Sequence, residues 1–218
     1  SSDTGNDDLE IKTPLDVKRI SLQGFKIIIN SKIAEKADTK TALELLSKDL
    51  EKIATIVKPK QLNLLKQVPI WIEIKRLAGK AMWYHKHKQW VISNGYPAEA
   101  AKAVEINNVK NYIDWQVRSQ PYMILHELAH GYHDLYLTAE MKNQITSAYN
   151  DAVKSKKYDN VSYNLGGTRR AYALDTEDEY FAELTEAYLG QNDYYPYNRQ
   201  QLKDFDPTGY KIMQAVWE

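Results

Sequence analysis

The chain has 218 residues, 43% of them apolar and 27% charged, enough to bury a sizeable core in one large domain or in a core domain with an extension. Lysine plus arginine equals aspartate plus glutamate at 29 each, a balance that argues against the basic footprint of a nucleic-acid binder and against broad electrostatic adhesion to membranes. Cysteine is absent, so there is no disulfide framework, no thiolate metal site and no cysteine nucleophile, and the longest apolar runs, such as residues 68–72, are far too short to span a bilayer.

Residues 1–16, beginning Ser1-Ser2-Asp3-Thr4-Gly5-Asn6-Asp7-Asp8, are polar and acidic and read as a flexible leader, either a tether or a frayed terminus. Because the chain starts with serine, a targeting segment removed upstream is the expectation. It makes this an exported domain, secreted or carried as a surface or periplasmic lipoprotein. Residues 17–218 read as a single domain. The β-branched stretch Phe25-Lys26-Ile27-Ile28-Ile29 predicts a strand over 24–30. Asp38 or Thr39 is placed to cap a helix to about Val57, with Leu43, Leu46, Leu50 and Ile53 at helical spacing. Pro59 closes that stretch, and a short helix follows over 61–66. Residues 68–74 and 81–85 read as strands, 97–103 as a small helix and 104–106 as a third short strand. From Pro121, read as the first residue of a helix, the pattern turns helical: 121–136, 139–154, 177–189 and one or two more at the C-terminal end. The expected class is α+β: a small N-terminal mixed sheet with helices, packed on a mainly helical C-terminal half.

The chemistry concentrates at His126-Glu127-Leu128-Ala129-His130. Residues i and i+4 stand one above the other on a helix, so His126 and His130 can turn their imidazoles to one zinc ion. Glu127 is the next residue round and can serve as general base for a water activated by that ion. The flanking Met123, Ile124, Leu125, Leu128 and Ala129 imply a buried helix, on which two histidines need partners; a pair of hydrogen-bonded core histidines is the plain alternative. His133 shares the face but lies about 10 Å along the axis from His126, too far to share the ion.

A third ligand is expected from Glu179, which begins a stripe with Glu183 and Glu186 at i, i+4 and i+7 on an otherwise apolar segment. Glu183 would then accept the free N–H of a zinc-bound histidine. Three other readings stay open. Glu179 completes a capping box with Thr176, the stripe is a solvated face, or Glu183 is the ligand and Glu186 its support. The 16 tyrosines and five tryptophans fit packing or an aromatic-lined cleft. His85 and His87 fit an exposed strand end or a second metal site. Arg169 and Arg170 fit the rim of a cleft or a solvated loop.

The His-Glu-x-x-His helix followed some fifty residues later by Glu179-Tyr180-Phe181-Ala182-Glu183 resembles the gluzincin metallopeptidases. With Tyr172 seven residues before Glu179, it is similar to the catalytic domain of anthrax lethal factor and to the clostridial Pro-Pro endopeptidases. Met82-Trp83-Tyr84-His85, the stretch 102–106, the stretch 125–133, 179–190 and Asn192-Asp193-Tyr194-Tyr195-Pro196 resemble a family of predicted secreted or lipoprotein metallopeptidases, over the chain from about Ile20 onward. The resemblance implies one zinc per chain, Glu179 as third ligand and Tyr172 as the donor that steadies the oxyanion. From its own neighbours alone Tyr172 reads as packing. The expected function is zinc-dependent hydrolysis of a peptide or protein substrate by a monomer, the peptide lying beside an edge strand, for which residues 104–106 are the candidate. A catalytically silent zinc-bearing module that binds a protein or glycan is the alternative, and hydrolysis of a non-peptide amide a third reading.

Overall fold

The computed structural model describes residues 16–74 and 79–218. The expected leader therefore lies, apart from Asp16, outside the described residues. Strands β1 (Val17–Leu22) and β2 (Phe25–Asn30) form an antiparallel hairpin. Its turn residues Gln23 and Gly24 have φ of 51° and 81°, the left-handed backbone that a two-residue turn between twisted strands demands. Helices α1 (Ala37–Ile56) and α2 (Pro59–Leu65) lead to β3 (Ile70–Ile72). Then come β4 (Met82–Tyr84), α3 (Lys88–Ser93), a 3-10 turn at Ala98–Ala100, β5 (Val104–Ile106) and α4 (Val109–Arg118). The sheet order is β1-β2-β3-β5-β4, with β2, β3 and β5 parallel and the outer strands antiparallel.

The C-terminal half consists of α5 (Met123–Tyr136), α6 (Ala139–Ser155), the small pair β6 (Val161–Ser162) and β7 (Thr168–Arg169), a 3-10 turn at Tyr172–Leu174, α7 (Glu177–Leu189), α8 (Arg199–Phe205) and α9 (Pro207–Trp217). The class is α+β. No described helix is long and apolar enough to cross a membrane.

Side-chain alternation divides the sheet's two faces. Phe25, Ile27, Ile29, Ile70, Ile72, Val104 and Ile106 join the main core with the helices, while Ile28 and Trp71 meet Val91, Tyr96 and Ala103 on the other face. Glu105 also points to that second face, where Tyr96 donates to it and His85 lies 2.8 Å away. Four local expectations change. Lys36, without a side-chain cap, precedes α1; Asp38 lies in its first turn. Pro59 opens α2. The first residue of α5 is Met123, with Tyr122 as its N-cap, so Pro121 precedes the helix. β5 is interior, between β3 and β4, so β4 is the free edge on this side of the sheet. A three-residue strand carries no local mark of its neighbours, so its place in the sheet is not legible in the sequence.

Helix α7 begins at Thr176, whose hydroxyl accepts from the Glu179 N–H at 3.1 Å, and carries three acidic residues in its first turn, where the helix dipole favours them. Its far end meets the start of α5: a Cβ on Gly190 would lie 2.6 Å from the Tyr122 ring. Gly190→Ala is expected to destabilise the protein by about 1–3 kcal/mol, since a rigid ring at a helix cap cannot give way. Urea unfolding with an unchanged m value checks this; wild-type stability would mean that Tyr122 moves freely.

Candidate metal centre

Helix α5 stacks His126 over His130, and their Nε2 atoms are 3.2 Å apart. Helix α7 packs across α5 and brings Glu179 to both: Oε2 is 3.1 Å from His126 Nε2 and Oε1 is 2.6 Å from His130 Nε2. A tetrahedral ion with ligands at about 2.0–2.1 Å requires ligand atoms about 3.3 Å apart, so the three side chains converge at nearly the separation that zinc would ask for. Glu179 Oε1 sits closer to His130 than that, and the donor set, two imidazole nitrogens and a carboxylate oxygen, is one that zinc accepts.

His126 is held from behind. Its Nδ1 lies 2.8 Å from Glu186 Oε2 and 3.2 Å from Glu183 Oε2. A carboxylate facing Nδ1 keeps the proton there and leaves Nε2 free to ligate. Glu183 was expected in this place; Glu186 is nearer. The signal for Glu186 was in the stripe, since i+7 on α7 lies on the same face as i and i+4. The solvated-face reading of the stripe fails, because Glu183 and Glu186 are buried. The capping reading is half right. Thr176 caps α7, but the Glu179 carboxylate turns to the histidines.

Glu127 is buried beside the histidines, and its Oε2 has no hydrogen-bond partner. Tyr172 opens the 3-10 turn ahead of α7 and stacks on His126, ring centroids 6.2 Å apart. Glu127 and Tyr172 line two cavities that meet at the centre, of about 290 Å³ and about 430 Å³. The smaller holds His126, Glu183, Glu186, Asp193, Tyr163 and Tyr194. The larger runs past His130 and Glu179 to Trp83, Lys86, His87 and Trp90. Met82 of the edge strand β4 borders both. The abundant tyrosines serve both readings. Tyr112, Tyr158 and Tyr180 are core residues that donate to Asp49 and Asp206, whereas Tyr163, Tyr172 and Tyr194 line the cleft.

His133 is buried against Phe181 at 4.7 Å between ring centroids, and burial lowers its pKa to about 4, so it is a neutral core residue. His85 is buried on Glu105 while His87 is exposed at the start of α3, so they form neither a shared metal site nor one exposed strand end. Arg170 is tied to Asp175 at 2.7 Å, and Arg169 lies 3.9 Å over the Tyr163 ring at the rim of the smaller cavity.

Burial opposes charge throughout the centre, and neighbours decide each outcome. His126 is only partly exposed, yet the carboxylates of Glu186, Glu179 and Glu183 together hold its pKa well above the ordinary value. Glu179 is likewise half-buried, but His126 and His130 hold it below the usual carboxylate range. Glu127, Glu183 and Glu186 are pushed up by burial, and Asp193 by burial and then Glu183, to about 8.

A group whose pKa rises on folding lends stability that is complete below its unfolded value and fades as pH climbs through the folded one. His126, Glu183, Glu186 and Asp193 all act in this direction. The melting temperature of metal-free protein is therefore expected to fall by several degrees between about pH 6.5 and 8, from the ordinary histidine value to the raised Asp193 value, at about 2–4 °C per kcal/mol for a chain of this size. His133 acts in the opposite sense, but its change lies below that window. Thermal melts in chelator test this; a temperature that holds or rises would mean the buried carboxylates are ionised and paired.

Among the described residues two groups of three side chains bring their ligand atoms within 4.8 Å of one another: His126, His130 and Glu179, and His126, Glu183 and Glu186. No family model, curated protein or solved structure matches the chain.

Proposed function

We propose that this chain is a zinc-dependent peptidase of the gluzincin kind, an exported monomer with one zinc held by His126, His130 and Glu179. The observation that carries the reading is the convergence of those three side chains, with Nε2 atoms 3.2 Å apart and Glu179 across both, beside a Glu127 oxygen that has no partner. Bound there, zinc would supply Lewis acidity to a substrate carbonyl and make water acidic enough to lose a proton near neutral pH.

The chain's own residues do the rest. Glu127 takes the proton from the attacking water and delivers it to the leaving amine; burial, which raises its pKa, suits it to both tasks. Glu186 and Glu183 fix His126 in the tautomer that ligates through Nε2. Tyr172 donates its hydroxyl to the carbonyl oxygen as negative charge builds on it. The peptide lies extended along the free edge of β4, where Met82 borders both cavities.

Metal analysis of purified protein with a peptide-library digest tests the proposal. About one zinc per chain and discrete cleavage are expected. Tyr172→Phe should lower kcat by about 10²–10³ with little change in KM, the usual cost of losing one oxyanion donor. An unchanged kcat would return Tyr172 to packing. Zinc bound without cleavage of any peptide would favour a binding module.

A further inference from the structure

The cavity of about 290 Å³ beside His126 and Glu127 has an acidic floor. Glu183, Glu186 and Asp193 line it and are 3%, 5% and 9% exposed. Against these three carboxylates stands one imidazole N–H, at His126 Nδ1, already near both Glu186 and Glu183. Glu183 Oε1 is buried with no hydrogen-bond partner. The Asp193 N–H is turned to Asn192 Oδ1, and among the described residues no lysine or arginine forms an ion pair with the Asp193 carboxylate. Lys80 is the basic residue in the lining, and it is exposed.

Among the described residues no lysine or arginine pairs with these carboxylates, and ionised together they are unfavourable, so the floor suits a cation that arrives with a ligand and draws them into their charged forms. Its walls suit the same ligand. The Tyr163 and Tyr194 rings, 4.9 Å apart, offer apolar cover for an alkyl stem, with Arg169 already stacked on one face of Tyr163 at the rim. A second metal ion held by the group His126, Glu183 and Glu186 would take His126 Nδ1 as a ligand and strip its proton; an ammonium or guanidinium leaves that nitrogen as it is.

We propose that this cavity is a specificity pocket for a basic side chain, lysine or arginine, of the substrate residue that adjoins the cleaved bond. The proposal rests on the peptidase reading of the neighbouring centre. Glu183 Oε1 and Asp193 receive the cationic head, and the tyrosines cover the stem.

The test has one arm that needs cleavage and one that does not. In the first, zinc-loaded protein digests an amino-terminally acetylated peptide library. Lysine or arginine should dominate one position next to the cut, and replacing it by norleucine should lower kcat/KM on the order of tenfold or more, as expected for hydrogen bonds to charged groups. In the second, calorimetry compares an acetylated lysine peptide with its norleucine counterpart on zinc-loaded Glu127→Gln protein, again with on the order of tenfold in Kd. Asp193→Asn should shrink both ratios; the wild-type comparisons stand without it should the variant fold poorly.

Cleavage with no basic preference, or equal affinity for the two peptides, overturns the pocket while leaving the peptidase reading intact. No cleavage with a retained lysine preference in calorimetry does the reverse. Cleavage confined to unacetylated peptides would hand the pocket to the substrate's amino terminus. Two zinc ions per chain, reduced to one by Asp193→Asn, would assign the carboxylates to a second metal. Either result overturns the side-chain assignment.

Discussion

Glu127→Gln is expected to keep about one zinc per chain and to lower kcat by about 10²–10⁴, the range for removing a general base. Glutamine preserves the shape of a buried side chain whose Oε2 has no partner, so folding and metal content should hold. The two readouts separate roles that sit on adjacent residues. If the loss came with a loss of metal, Glu127 would be supporting the histidines. If cleavage survived at full rate, the proton would be moving through another group, and Tyr172 and Lys80 are the other titratable residues that line both cavities.

Glu179→Ala is expected to release most of the zinc under dialysis, because two imidazoles alone leave the set one ligand short of the three that catalytic zinc sites keep. Glu186→Gln is the graded comparison. It weakens the 2.8 Å contact behind His126 without touching the coordinating atoms. Partners of this kind are typically worth about 10–100-fold in metal affinity, and the loss from Glu179→Ala should be larger. Competition with a chromophoric chelator measures both. Equal effects of the two substitutions would mean that Glu179 supports a histidine and does not bind the metal; no effect from Glu179→Ala would move the third ligand to the neighbouring carboxylates.

The helices of the centre were legible because their signals are local. Apolar residues surround His126 and His130 in α5, and Thr176 marks the start of α7. The i, i+4, i+7 rule placed Glu179, Glu183 and Glu186 on one face before any fold was known. Other parts were hidden for physical reasons. β1 is half-exposed and offers no apolar run, so it carries no clear strand signal. Helix α4 buries Tyr112 fully and packs Val109 and Ile113 beside it at i, i+3 and i+4, and its cap Asn108 accepts from the Asn111 N–H, so its signal was present though short. Asp193 reaches the cavity only because the chain turns after Gly190, a tertiary event with no spacing rule. His85 and His87 looked like one strand face, but the strand stops at Tyr84 and α3 begins at Lys88, which sends the two rings apart.

Anomalous diffraction from crystals of the zinc-loaded protein, recorded at the zinc edge, tests the central claim most directly. A single peak is expected at about 2.0–2.2 Å from His126 Nε2, His130 Nε2 and a Glu179 oxygen. A peak bounded by Glu183, Glu186 and Asp193, or none at all between the two imidazoles, would contradict it.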